Sequence, residues 1–100
     1  MTPDDRPLLL FFTSRSSGPA RRMESLLAHI ARKERSRLRV SKIDVDERPE
    51  VAERFRVGQV PSLALVVRKK VVSRIDGRAT APRIESMLEP HLEGDSLVAS

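Results

Sequence analysis

Leu8-Leu9-Leu10-Phe11-Phe12 is an unbroken apolar run between Pro7 and Thr13, with no polar side chain alternating into it. A strand with one wet face alternates polar and apolar residues, so a run of this kind needs cover on both faces. It reads as the central strand of a sheet with helices on either side. A membrane span needs ~20 apolar residues, far more than this run offers. The remaining chain must therefore supply neighbouring strands and covering helices.

Its patterning does so in order. A turn rich in Ser and Gly covers residues 14–18, with Ser17 as N-cap and Pro19 where a first helical turn tolerates proline. Met23, Leu26, Leu27, Ile30 and Ala31 then recur at helical spacing, which predicts an amphipathic helix to about Ser36. Residues 38–45 read as a second strand, with Leu38, Val40, Lys42 and Asp44 on one face. Pro49 opens a shorter helix that buries Val51, Ala52 and Phe55 and closes near Gly58. Residues 63–67 and 71–75 form a hairpin about Arg68-Lys69-Lys70. Lys-Lys suits tight two-residue turns poorly, so a longer or type I connection is expected. Gly77 marks a bulge or a close backbone approach. Thr80 caps a last helix with Pro82 in its first turn and Ile84, Met87 and Leu88 inward, and Pro90 ends it.

The order is β-α-β-α-β-β-α, an α/β fold in which a parallel βαβ unit is joined through a helix to a ββα unit. A right-handed crossover sets the first helix on one face of a four-stranded mixed sheet; the last helix joins it there or covers the other face. Residues 1–6 read as a loose N-terminus, 7–92 as one domain and 93–100 as a flexible tail. With no signal-peptide pattern at the start, the chain is expected to be cytoplasmic.

Composition narrows the chemistry. Among 100 residues there is no cysteine, which excludes thiolate catalysis, disulfides and Fe–S ligation. Net charge is +5, yet residues 15–42 hold nine Lys/Arg against Glu24 and Glu34, a local excess of seven. The cations available there for phosphate or carboxylate include Arg21, Arg22, Arg32, Lys33, Arg35, Arg37 and Arg39.

The segment from Phe11 to Met23 resembles the active-site passage of the thioredoxin family. Where that family carries Trp-Cys-Gly-Pro-Cys, this chain reads Ser16-Ser17-Gly18-Pro19-Ala20. In the same register, residues 40–46 resemble the family's second common strand, Val60-Pro61-Ser62 its cis-proline loop and Gly77 its bulge glycine. The resemblance covers residues 7–92 and implies a thioredoxin-like fold lacking the family's first strand and helix, which leaves residues 38–45 as a sheet edge. It also implies that Ser17 and Ala20 stand at the two redox positions and Phe11 at the proton-carrying acid. Disulfide exchange needs a thiolate, which neither serine nor alanine supplies. A cis Val60–Pro61 bond is implied as well, with Val60 offering its N–H and C=O to an extended peptide.

Other readings of the residues are weaker. His29 lies twelve residues beyond Ser17 on one helix, about 18 Å away at 1.5 Å per residue, so it cannot serve as base to that hydroxyl. His29 and His91 make no metal site without further ligands, and no cofactor is implied. Lys42 and Asp44 read as a solvated pair. The function expected is a redox-inactive module that binds a protein or peptide through Ser16, Ser17, Gly18, Pro19, Val60, Pro61 and Gly77. Alternatives are a homodimer paired through residues 38–45, or a basic face (Arg21, Arg22, Arg32, Lys33, Arg35) that binds an acidic partner or nucleic acid. The three Phe fall at core positions and there is no Trp or Tyr, so nucleic-acid bases would find no stacking platform. A further alternative is a thiol–disulfide oxidoreductase whose cysteines were removed by engineering.

Overall fold

The apolar run becomes β1 (Leu8–Thr13), and in the computed structural model, which describes residues 5–92, it is central. Its neighbours are β2 (Arg39–Asp44), parallel to it, and β3 (Ser62–Val67), antiparallel; β4 (Lys70–Asp76) pairs with β3. The strand order is β2-β1-β3-β4. Three helices complete the domain: α1 (Gly18–Lys33), α2 (Pro49–Arg54) and α3 (Ala81–Leu88), the last running into a 3-10 turn at Glu89–His91.

Alternation along β1 divides the core in two. Leu9 and Phe11 face Met23, Leu27 and Ile30 of α1 together with Ile84 and Leu88 of α3. The last helix thus joins the first on one face, which decides between the two placements the sequence allows. Leu10 and Phe12 point the other way, toward Val51 of α2 and Phe55 at its C-cap, where the Phe12 and Phe55 ring centroids are 5.7 Å apart.

Several boundaries differ from the sequence reading. Helix α1 stops at Lys33 because the amides of Arg37 and Leu38 turn back onto the Glu34 carbonyl, both at 2.8 Å, and so deliver Leu38 into the core. Helix α2 ends at Arg54, not near Gly58. Arg56 takes the left-handed conformation (φ 55), and Val57 N–H donates to the Ala52 carbonyl at 2.9 Å while Arg56 N–H donates to Glu53. This is a Schellman motif built on arginine.

The β3–β4 connection is neither long nor type I. Arg68 and Lys69 both have positive φ (51 and 70), the signature of a two-residue type I′ turn. That turn matches the right-handed twist of the strands, and the match outweighs the side-chain preference. A bulge occurs, but at Val72: Leu65 pairs with Ser73 and Val66 with Val71. Gly77 makes the close approach instead, its N–H donating to the Pro61 carbonyl at 2.8 Å with φ +91. Thr80 occupies the N-cap of α3 without a hydroxyl bond to the helix, its carbonyl accepting from Ile84 at 3.0 Å. Arg6 is tied to β2, since the Arg39 guanidinium donates to its carbonyl at 3.1 Å and its own guanidinium donates to the Arg35 carbonyl. The tail at 93–100 lies outside the described residues.

Candidate binding site

Strand pairing gathers the candidate residues at one end of the sheet. Phe12 is level with Ser62, and Ser62 with Asp76. The chain therefore leaves β1 into residues 14–17, enters β3 from residues 59–61 and leaves β4 at Gly77, all on the same rim.

The first of these loops is fixed by hydroxyls. Ser14 is buried and its Oγ bonds the Asp46 carboxylate, the Ser16 hydroxyl at 2.9 Å and the Ser16 amide at 3.3 Å. Ser17 is the N-cap: extended at φ −98, ψ 109, its Oγ accepts from Ala20 N–H at 3.1 Å. That satisfies one of the donors a helix start leaves open. The hydroxyl is thereby committed to structure, and His29 is exposed far along α1. Ala20 is fully buried in the core (0% exposed).

The second loop holds the Val60–Pro61 bond in the cis form. Pro61 is buried, and Ser62 Oγ ties the loop to the Gln59 carbonyl at 2.7 Å and to the Asp76 carboxylate at 3.3 Å. Val60 is half-buried, and its backbone N–H and C=O make no hydrogen bond among the described residues. Beside this rim, a groove of about 500 Å³ runs between α1 and the start of α3, with Pro19, Met23, Leu26 and Ala79 among its apolar lining and Arg22, Arg78 and Arg83 as its charges.

The basic cluster does not form one face. Lys33 pairs with Glu85 at 2.9 Å, Arg37 with Glu34 at 2.6 Å, and Arg39 holds the Arg6 carbonyl. The bonded Glu85 carboxylate raises the Lys33 pKa above 10.5. Arg21 and Arg22 diverge: Arg21 lines a cavity beside β2, whereas Arg22 lines the groove beside α3. Lys42 and Asp44 do not pair. Two residues along a strand span about 7 Å, while α1 sets Glu24 across from Lys42, at 3.4 Å; Asp44 Oδ1 accepts instead from the amides of Asp46 (2.8 Å) and Glu47 (3.3 Å).

Sequence reading missed the Ser14–Asp46 link, the groove arginines Arg78 and Arg83, and Thr13. The two arginines fall outside the charged stretch and join Arg22 only in space. Thr13 closes the apolar run at 3% exposure, and its hydroxyl has no partner among the described residues. An orphaned buried hydroxyl costs about 1–3 kcal/mol.

A βαβ unit followed by ββα, with a helix start and a cis-proline loop on one rim, defines the thioredoxin-like fold. The comparisons agree. The family model "Thioredoxin" matches residues 1–90. Thioredoxin of Mycobacterium tuberculosis is 34% identical over 91 residues, covering 88% of this chain and 78% of that protein. Thioredoxin of Alicyclobacillus acidocaldarius is 29% identical, covering 89% of this chain and 85% of that one. The bifunctional thioredoxin reductase/thioredoxin of Mycobacterium leprae is 34% identical, but this chain spans only 20% of it. Among solved structures, the germline-specific thioredoxin Deadhead of Drosophila melanogaster superposes with a TM-score of 0.81 at 31% identity, covering 87% of this chain and 82% of that one. The chain belongs to the thioredoxin family. Having no cysteine, it cannot perform the family's disulfide exchange.

Proposed function

We propose that this chain is a redox-inactive binding module that takes an extended, acidic peptide segment across the rim of Ser16, Ser17, Gly18, Pro19, Val60, Pro61 and Gly77. The observation that carries the reading is the unpaired backbone of Val60. An N–H and a C=O left without partners in a half-buried loop are what a strand-like ligand pairs with. The adjoining groove supports the acidic character, because its apolar lining carries Arg22, Arg78 and Arg83 and, among the described residues, no carboxylate. The test is selection of binders from a random peptide library, with affinities measured by fluorescence anisotropy. The expected consensus is an apolar residue flanked by Asp or Glu. Val60→Asp and Arg22→Glu each weaken binding at least tenfold while circular dichroism shows the fold retained. Selection of no peptide, or wild-type affinity in both variants, overturns the reading.

A second reading rests on β2, a sheet edge among the described residues. Arg39 and Val45 donate their amides toward β1, so by alternation Val40 and Lys42 turn their backbone groups outward, while the Asp44 carbonyl already accepts from the amides of Glu47 and Arg48. Light scattering tests pairing of two copies through that edge; a monomer at high micromolar concentration removes it.

A further inference from the structure

The cavity between α1 and β2 is separate from the groove just described, on the other side of α1. It has a volume of about 810 Å³, within the usual range for small-molecule sites. Thr13 lies at its sheet side, and this is the buried hydroxyl that no described residue satisfies. Arg15, Arg21 and Arg48 reach the lining from three elements: the loop after β1, helix α1 and the N-cap of α2. None of these three guanidinium groups has an ion pair among the described residues, whereas Lys42, also on the lining, already has Glu24.

We propose that this cavity binds a small phosphate-bearing polyol, a ligand of the sugar-phosphate type. Donors contributed by the sheet and by three separate segments suit a tetrahedral group, whose acceptor oxygens point in every direction. A planar carboxylate satisfies one guanidinium fork and offers little to the others. The Thr13 hydroxyl gains the acceptor it lacks. Asp44 and Glu47, on the same lining, accept hydrogen bonds from the polyol hydroxyls. The site needs no thiol and shares no residue with the peptide rim.

The experiment is an amide NMR titration of the isotope-labelled chain at low salt, with ribose 5-phosphate, ribose and inorganic phosphate in separate arms. Saturable shifts at Thr13, Arg15, Arg21 and residues 41–48 are expected, with ribose 5-phosphate binding more tightly than either fragment. Thr13→Val keeps the side-chain shape, removes the hydroxyl and weakens binding at least tenfold. Arg48→Gln does the same from an exposed position, so it decides the matter should the Thr13 variant fold poorly. Linear shifts spread over every exposed arginine, or wild-type affinity in Arg48→Gln, overturn the site. Inorganic phosphate binding as tightly as ribose 5-phosphate overturns the polyol.

Discussion

At Ser17 one hydroxyl fixes where α1 starts. Its bond to the Ala20 amide makes it a cap, and a cap has a measurable worth. Ser17→Ala is expected to lower stability by about 1 kcal/mol, read as a shift of the urea midpoint with an unchanged slope. Gly77 is constrained differently. A Cβ there would meet nothing closer than Gln59 Oε1 at 3.8 Å, so space is open and only the φ of +91 resists a side chain. Gly77→Ala is expected to cost about 1–2 kcal/mol in the same measurement, all of it conformational. Both positions were legible in the sequence, because a cap before Pro19 and a glycine ending a hairpin follow from local rules. The unpaired backbone of Val60 and the orphaned Thr13 hydroxyl were not. Whether a polar group finds a partner depends on what the fold brings beside it, which spacing along the chain does not encode.

At the scale of elements, the helices meet through charge as well as through apolar packing. Lys33 of α1 and Glu85 of α3 are both substantially exposed, at 53% and 42%, so their bond is screened by solvent and contributes little. Its pH dependence has a definite sign. A lysine whose pKa is raised on folding adds stability below 10.5 and loses that contribution as pH climbs through the raised value. Glu85→Gln is expected to return the Lys33 titration, followed by NMR of its side chain, toward 10.5. Element types and order were readable from periodicity, yet two turns were not. Arg56 rather than Gly58 closes α2, and Arg68-Lys69 makes a turn usually given to Asn-Gly. In both, strand twist or helix geometry imposed left-handed backbone on residues that do not favour it.

Across the whole molecule the two faces of the sheet are unequally clothed. Helices α1 and α3 seal one face, whereas α2, six residues long, covers only part of the other. Leu8, Val66 and Val71 lie level on that second face, and exposure rises to 46% at Val71. Truncating the sealed side is therefore expected to cost more: Leu27→Ala about 2–4 kcal/mol and Val66→Ala about 1 kcal/mol by denaturant melts. The hairpin tip has a consequence of another kind. Arg68-Lys69-Lys70 is an inviting target for trypsin, and all three residues are exposed. A protease cleft accepts only extended chain, however, and a type I′ turn extends only when β3 and β4 unzip around it. A hairpin recloses far faster than a protease cuts, so nicking at the tip follows the population of the unzipped form, and the digestion half-life at that bond reports the free energy of local opening of the sheet.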